Sequence, residues 1–274
     1  MKRIITATFS LVLSLTAFAA AKVEFVNISD STDYIPGDYM KCTDAPPMLS
    51  IRTDYTLPIS GIKQADVLKM ADILMNIADG NYDADGNPIP SEFVQYDDKV
   101  WNVASHSDLA DFSEWKSKCF PDEAPYQQWS ESPAIKPIYN DGKRLSMLAS
   151  NYMYTGGAHG LYYDFTVNYS VTDGKFVTID DILPDFNFQN VRSYYENAFS
   201  LILTEKAKKI LSDPDGGCVL LVDSVMLSTN FAFTPDGIVM RYQPYAIAPW
   251  AAGVVEIPLS YKEIAKIVAK RPSL

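Results

Sequence analysis

The side chains best suited to acid, base or nucleophilic chemistry are few, and their spacing matches no common active site. The chain has two histidines, His106 and His159, with no HExxH spacing and no GxSxG turn, whereas a catalytic zinc site usually needs three protein ligands. Adjacent acidic residues point to different faces of a strand or helix. The pattern predicts no catalytic residue, although among 34 acidic residues a glycosidase-type carboxylate pair across a cleft remains an alternative.

One loop has the spacing of a calcium-binding loop. Residues Asn81–Glu92 read NYDADGNPIPSE, which puts Asp83 and Asp85 at positions 3 and 5 and Glu92 at position 12 of an EF-hand pattern. Pro88 interrupts that pattern, and Asp, Asn and Gly are also ordinary turn residues. A polar loop is favoured and no metal site is predicted, with calcium left open.

The most specific local signal is the glycine-rich segment Tyr152–Gly160, YMYTGGAHG. Gly156 and Gly157 indicate a turn with positive φ, or a backbone packed where no Cβ fits. His159 has three interpretations: a catalytic residue, a contact residue, or a core imidazole bonded to a backbone carbonyl. The last is favoured.

A second segment, Tyr242–Gly253 (YQPYAIAPWAAG), is an aromatic loop interrupted by prolines. It is either an exposed contact surface or a packed corner over a sheet, and the corner is favoured. The residues predicted for partner binding in these two segments are Tyr154, Gly156, Gly157, His159, Tyr242, Tyr245 and Trp250.

Periodicity in the first half predicts two strands and a strong helix. Lys22–Ile28 and Met48–Leu57 alternate like strands, whereas Ala65–Ala78 has apolar residues, including Leu68, at helical spacing. Short helices are predicted around Glu92–Val103 and Asp108–Lys118. Four prolines between residues 120 and 137 mark a domain boundary or an irregular edge strand.

The second half is mostly strand with one long helix. In Leu161–Thr172 alternation predicts a buried face of Leu161, Tyr163, Phe165, Val167, Tyr169 and Val171. Asn190–Leu211 predicts a helix whose inner stripe is Val191, Tyr194, Ala198, Leu201 and Ile202. The remaining predictions are strands at Lys175–Ile179, Val219–Val225, Phe231–Thr234, Ile238–Tyr242 and Val254–Leu259, then a helix with a Ser260–Glu263 capping box. This grouping favours an α+β fold in which antiparallel sheets pack with amphipathic helices in two closely packed halves.

The N-terminal segment and the composition predict an exported, acidic protein. Lys2 and Arg3 precede an apolar stretch that ends in small residues, as in a signal peptide cleaved near Ala19 or Ala21. Cleavage would change the net charge from −11 to −13 and place the chain in the periplasm or outside the cell, with no membrane insertion. This net negative charge argues against nucleic acid as a partner, because binding to phosphates depends on clustered Lys and Arg.

The three cysteines, Cys42, Cys119 and Cys218, fit no zinc spacing. Export permits disulfides, but an odd number leaves at least one thiol unpaired or bonded to another chain. One bridge with one buried thiol is favoured, and the pairing is left open.

The glycine-rich turn and the aromatic loop together resemble a known family. The segments Tyr154–Gly160, Phe231–Ile238, Tyr245–Pro249 and Ile257–Ile264 are similar to the extracellular C-terminal domain of RsiV-like anti-sigma factors. The region upstream, roughly residues 25–140, resembles a module also found ahead of polysaccharide deacetylase domains. The resemblance implies an α/β architecture without established catalysis, and in the anti-sigma factors the domain binds lysozyme.

We therefore expect three parts: a signal peptide (1–21), an N-terminal module (22–140) and an RsiV-like domain (141–274). The expected function is non-enzymatic binding in the cell envelope, without a cofactor, with lysozyme or another basic envelope or host protein as partner. The alternatives are a glycan hydrolase that uses an acidic pair, and an accessory or structural envelope module.

Overall fold

The structure is a computed structural model that describes residues 22–34, 48–79, 95–97, 100–102, 128–212 and 219–272. The expected signal peptide, the helix at Asp108–Lys118, the Asn81–Glu92 loop, His106 and the three cysteines lie outside these ranges. Within the described ranges, no helix has the length and apolarity that a membrane span requires.

The α+β fold class is confirmed, and contacts divide the chain into two units. Unit 1 comprises residues 1–137 and 148–164, and unit 2 comprises residues 138–147 and 165–274. Two long strands, β7 (Arg144–Tyr154) and β8 (Leu161–Ser170), run through both units. The boundary predicted at residue 140 separates two sequence modules, which is a different division from the two units, and it stays a prediction.

Unit 1 begins with a long antiparallel pair, β1 (Glu24–Tyr34) and β2 (Met48–Ser60), which confirms both predicted strands. On β2 every second residue from Leu49 to Leu57 is buried, the pattern of a strand with one face on a core. The helix α1 (Gln64–Ala78) follows as predicted, but Leu68, expected in its apolar stripe, is exposed.

The sheet of unit 1 is mixed, not wholly antiparallel as expected. Strand β2 pairs in parallel with β5 (Gln128–Glu131) and β6 (Ala134–Asn140), and β5 pairs antiparallel with β7. Parallel pairing requires a long connection, and the chain between β2 and β5 supplies it. The predicted helix around Glu92–Val103 is wrong, because β3 (Gln95–Asp97) and β4 (Val100–Asn102) form an antiparallel pair there.

Unit 2 is built on a long helix against a small sheet. Strand β9 (Lys175–Val177), which pairs with β8, leads into the short helix α2 (Ile179–Ile182) and then α3 (Gln189–Ile210). The antiparallel sheet contains β10 (Phe231–Thr234), β11 (Gly237–Tyr242) and β12 (Val255–Ser260), and α4 (Tyr261–Val268) closes the chain. The capping box of Ser260 and Glu263 is confirmed.

The buried stripe of α3 lies about one residue from its predicted position. Its buried residues are Val191, Tyr195, Phe199, Leu203 and Ala207, whereas the predicted Leu201 is 74% exposed. The predicted and the observed stripes are both apolar, so packing against the rest of the unit decides which stripe of α3 is buried. The predicted strand Val219–Val225 is also wrong, because this segment is irregular.

Strand β8 departs most clearly from its predicted alternation. Leu161 and Phe165 are exposed, while Asp164 and Asn168 from the supposed polar face are buried. Asn168 is satisfied there because its Nδ2 donates to the Phe231 carbonyl (2.7 Å) and its Oδ1 accepts from Ser146. A strand covered on both faces accepts buried polar residues when their hydrogen bonds are complete.

Candidate functional site

The glycine-rich turn connects β7 to β8 in unit 1 and is held by its own residues. Gly156 and Gly157 have φ of 101° and 94°, the left-handed region that glycine adopts without a steric cost. The half-buried Tyr154 donates a hydrogen bond from its hydroxyl to the Gly157 carbonyl at 3.0 Å. The turn therefore has a defined shape.

His159 and Gly160 close this turn. Nδ1 of His159 lies 2.9 Å from the Gly160 carbonyl oxygen, and the residue is exposed rather than in the core. Gly160 is buried, and a Cβ there would lie 2.5 Å from the Met153 carbonyl oxygen and the Tyr152 ring. The favoured interpretation of His159 was a core imidazole bonded to a backbone carbonyl. The bond to a carbonyl is present, but the side chain is not in the core.

Tyr242, at the end of β11 in unit 2, is a core residue. It is buried, its hydroxyl donates to the Met226 carbonyl at 2.8 Å, and burial raises the pKa of the phenol. A buried tyrosine hydroxyl usually needs a hydrogen-bond partner, and the Tyr242 hydroxyl has one inside the fold. Tyr242 therefore supports the loop and offers little surface to a partner.

Tyr245 has the opposite setting. Its side chain is 58% exposed and its φ is +68°, a conformation that is a genuine outlier for a bulky residue. Two backbone bonds hold it there: its N–H donates to Ala248 (3.0 Å), and the Ala246 N–H donates to Gln243 (2.9 Å). Such strain is found where the surrounding structure enforces it, often at functional sites.

The irregular segment 219–226 lies beside this loop. The Leu221 N–H donates to the Ile247 carbonyl at 2.8 Å, and the Val225 N–H donates to the Thr204 hydroxyl on α3 at 2.8 Å. Large apolar side chains are about half exposed in this segment and at Tyr245. We call the set the Tyr245 surface: Val219, Leu221, Met226 and Tyr245.

Contiguous exposed apolar patches mark interaction sites, whereas single exposed apolar residues are ordinary. Trp250, the other predicted aromatic residue here, is half-buried in a short 3-10 turn, Trp250–Ala252. The seven predicted binding residues thus fall into different units: Tyr154, Gly156, Gly157 and His159 in unit 1, and Tyr242, Tyr245 and Trp250 in unit 2.

A buried polar cluster in unit 1 was not predicted from the sequence. Glu131 on β5 is 2% exposed and accepts a hydrogen bond from Nδ2 of the fully buried Asn151 on β7 at 2.8 Å. The buried Tyr55 donates to Asp79 at 2.9 Å. Burial, reinforced by the charges of Asp79 and Glu131, raises the pKa of Tyr55 well above its usual value.

The sequence contains weak signals for two features that were not predicted from it, the buried polar cluster and the irregular apolar segment beside Tyr245. Asn151 interrupts the apolar run of β7, and the segment 219–227 is apolar without strict alternation. Neither signal is specific, because each also fits an ordinary strand. Across the described ranges, no group of three His, Cys, Asp or Glu residues is arranged to hold a metal ion.

Comparison with known proteins identifies similarity to one family of unknown function. Residues 185–262, which contain α3, the Tyr245 surface and the small sheet, match the profile of a family described as "Protein of unknown function (DUF3298)". None of the curated proteins matches the chain significantly.

Two crystal structures support the fold. A DUF3298 family member from Bacteroides fragilis has a TM-score of 0.55 at 19% identity and covers 92% of this chain and 99% of its own. A DUF3298 family protein from Pseudomonas aeruginosa has a TM-score of 0.52 at 15% identity, covering 90% and 94%. The chain is therefore similar in fold to DUF3298 proteins over most of its length, and residues 185–262 carry the sequence match.

Proposed function

We propose that this protein is an exported, non-enzymatic binding protein of the cell envelope that recognises a basic protein, with lysozyme-like proteins as the first candidates. The signal-like segment before residue 22 supports export. The net charge of −11 suits a basic partner, because complementary charge increases association rate and selectivity. The resemblance to RsiV-like domains, which bind lysozyme in anti-sigma factors, supports this partner.

The observation that carries the proposal is the setting of Tyr245. An exposed aromatic ring in a strained, hydrogen-bonded loop is presented at little entropic cost on binding, because its backbone is already fixed. Tyrosine is among the residues that dominate binding energy at protein interfaces. Leu221 and Met226 supply further exposed apolar area in the segment that is hydrogen-bonded to Ile247 and Tyr242.

The test is calorimetric titration of the purified mature protein with lysozyme, at low salt and at about 150 mM salt, where the Debye length is about 8 Å. We expect binding that persists at the higher salt. Binding at low salt alone would show only attraction between opposite net charges. Absence of binding at both salt concentrations would exclude lysozyme as the partner.

The contact surface is tested with Tyr245→Asn, since asparagine tolerates positive φ and removes the ring. We expect the dissociation constant to rise at least tenfold. The matched control is Phe188→Asn, which removes a 47% exposed ring just before α3. Phe188 is 16 residues before Thr204, or about 24 Å along the helix, so Phe188→Asn should leave binding unchanged. Equal effects of the two variants would exclude the Tyr245 surface.

A further inference from the structure

Strand β1 lies at the edge of the seven-stranded sheet, with β2 as its only neighbour among the described strands. It has eleven residues, Glu24–Tyr34, and all of them are in antiparallel register with β2. In an antiparallel pair, successive residues alternately direct their N–H and C=O groups toward the neighbouring strand and away from it. The outer edge of β1 therefore presents a row of backbone donors and acceptors with which another strand can pair.

The other described strands at sheet edges are shorter than β1. Strands β3, β4 and β9 have three residues each, β10 has four and β12 has six. Side chains also occupy two of these edges: the Phe233 N–H on β10 donates to the Ser146 hydroxyl at 2.9 Å, and the Pro258 carbonyl on β12 accepts from Nζ of Lys206 at 2.7 Å. Strand β1 contains no proline, so every one of its residues keeps a backbone N–H.

The side chains of β1 are largely open to solvent. Ile28 is buried opposite Tyr55 on the core face of the sheet. Six residues of the strand are exposed: Glu24, Asn27, Ser29, Asp30, Ser31 and Asp33. A long, exposed edge strand is either protected against pairing or used for it, because its backbone is a template for an added strand.

The charges on β1 and β2 determine which kind of strand fits this edge. The two strands carry four acidic residues, Glu24, Asp30, Asp33 and Asp54, and one basic residue, Arg52, which forms an ion pair with Asp33 at 2.9 Å. Opposite charges on neighbouring strands are stabilising, and like charges directly opposite each other are destabilising. A second copy of β1 would bring three more acidic residues to the edge, so the pattern opposes self-pairing and favours a strand that carries Lys or Arg.

We infer that the outer edge of β1 is a strand-addition site for an extended, cationic segment of a partner protein. Main-chain hydrogen bonds to β1 supply the affinity in this mode of recognition, and the acidic side chains select Lys and Arg in the added strand. The site belongs to unit 1, whereas the Tyr245 surface belongs to unit 2. The inference thus goes beyond the proposed function and does not require lysozyme as the partner.

The probe is the peptide KTVTKTVTK, blocked at both ends and added to the isotope-labelled mature protein until binding saturates. Amide hydrogen exchange along β1 is followed by NMR with and without the peptide. We expect every second amide between residues 25 and 33 to exchange at least about tenfold more slowly in the complex, since only the outward-facing amides gain a partner. Absence of binding, or binding without this alternating protection, would overturn the inference.

The selection by charge is tested with the double variant Asp30→Asn/Asp33→Asn. We expect the dissociation constant of the peptide to rise about fivefold, the effect of removing two exposed ion pairs. The matched control is Asp223→Asn/Asp236→Asn, which changes the net charge equally at two exposed positions in unit 2 and should leave the constant unchanged within about twofold. Equal effects of the two double variants, or equally tight binding of the acidic peptide ETVTETVTE, would show that β1 selects no cationic strand.

Other occupants of the edge give different results. Alternating protection of β1 in the peptide-free protein, together with dimers in sedimentation velocity, would assign the edge to a second copy. The same protection in a peptide-free monomer would mean that the chain itself covers the edge, and either result would overturn the inference. Lysozyme binding is measured separately, so alternating protection by the peptide without lysozyme binding would leave this inference standing while the proposed function fails.

Discussion

The turn after β7 and the loop after β11 meet the same backbone requirement with different residues. In the first, Gly156 and Gly157 occupy positive φ, where glycine has no Cβ to clash. In the second, Tyr245 occupies φ of +68°, which costs an L-residue about 1–2 kcal/mol. The first turn is conformationally inexpensive, whereas the second maintains a strained tyrosine.

Under the proposed function, the second loop is constrained by more than folding. A glycine or asparagine at position 245 would adopt the same φ with less strain, and the proposal accounts for the tyrosine by the contact of its 58% exposed ring with a partner. Tyr154, at the corresponding place in the first turn, uses its hydroxyl internally, on the Gly157 carbonyl. Substitutions in the two loops test this contrast through the free energy of unfolding, measured by urea denaturation.

The largest effect is expected at Gly160, where the first turn is limited by space and not by φ. A Cβ there would meet a backbone oxygen and the Tyr152 ring, each at 2.5 Å. Gly160→Ala should lower the free energy of unfolding by about 3 kcal/mol, the upper end for overpacking. A loss below about 0.5 kcal/mol would show that β7 adjusts and that the turn is less rigid than its contacts indicate.

Strain without crowding is measured by a matched pair, one glycine from each loop. Gly157 has φ of +94° and Gly253 has φ of +66°, and neither would place a Cβ within 4 Å of another group. Gly157→Ala should cost about 1–2 kcal/mol. Gly253→Ala should cost about 2–3 kcal/mol, because the ψ of −150° at Gly253 falls in a region that is essentially restricted to glycine. A smaller cost at Gly253 than at Gly157 would mean that the loop after β11 relaxes its backbone more easily than the glycine-rich turn does.

The sequence predicts these loops better than it predicts what their side chains contact. Gly156 and Gly157 indicate a turn because positive φ is a local property, and Ser260 with Glu263 indicates a helix start for the same reason. Most strands and both long helices also follow from local periodicity.

Features that depend on packing could not be obtained in this way. The helix α3 has apolar residues on more than one face, so Leu201 and Leu203 are equally good core residues until the small sheet packs against one of them. Strand β8 alternates in sequence, yet Asn168 is buried because Ser146 and the Phe231 carbonyl, distant in sequence, complete its hydrogen bonds. The pairing of Glu131 with Asn151 likewise arises only from strand register.

The strain at Tyr245 can be measured directly in the second loop. Asparagine tolerates the left-handed region, so Tyr245→Asn should raise the free energy of unfolding by about 1 kcal/mol while weakening partner binding. Loss of stability instead would show that the ring contributes to packing. The contrast between the two loops would then be wrong.

The smallest effect tests the other half of the contrast, the internal use of Tyr154. Tyr154→Phe keeps the half-buried ring and removes one hydrogen bond to the Gly157 carbonyl. Because that bond is exposed to solvent, water can replace the hydroxyl, and the loss should be about 0.5 kcal/mol, the low end for a net hydrogen bond. If Tyr154 serves the fold, Tyr154→Phe lowers stability slightly and leaves lysozyme binding unchanged. If binding falls while stability does not, the glycine-rich turn is a contact site as well, and its glycines then present Tyr154 in the way that backbone strain presents Tyr245.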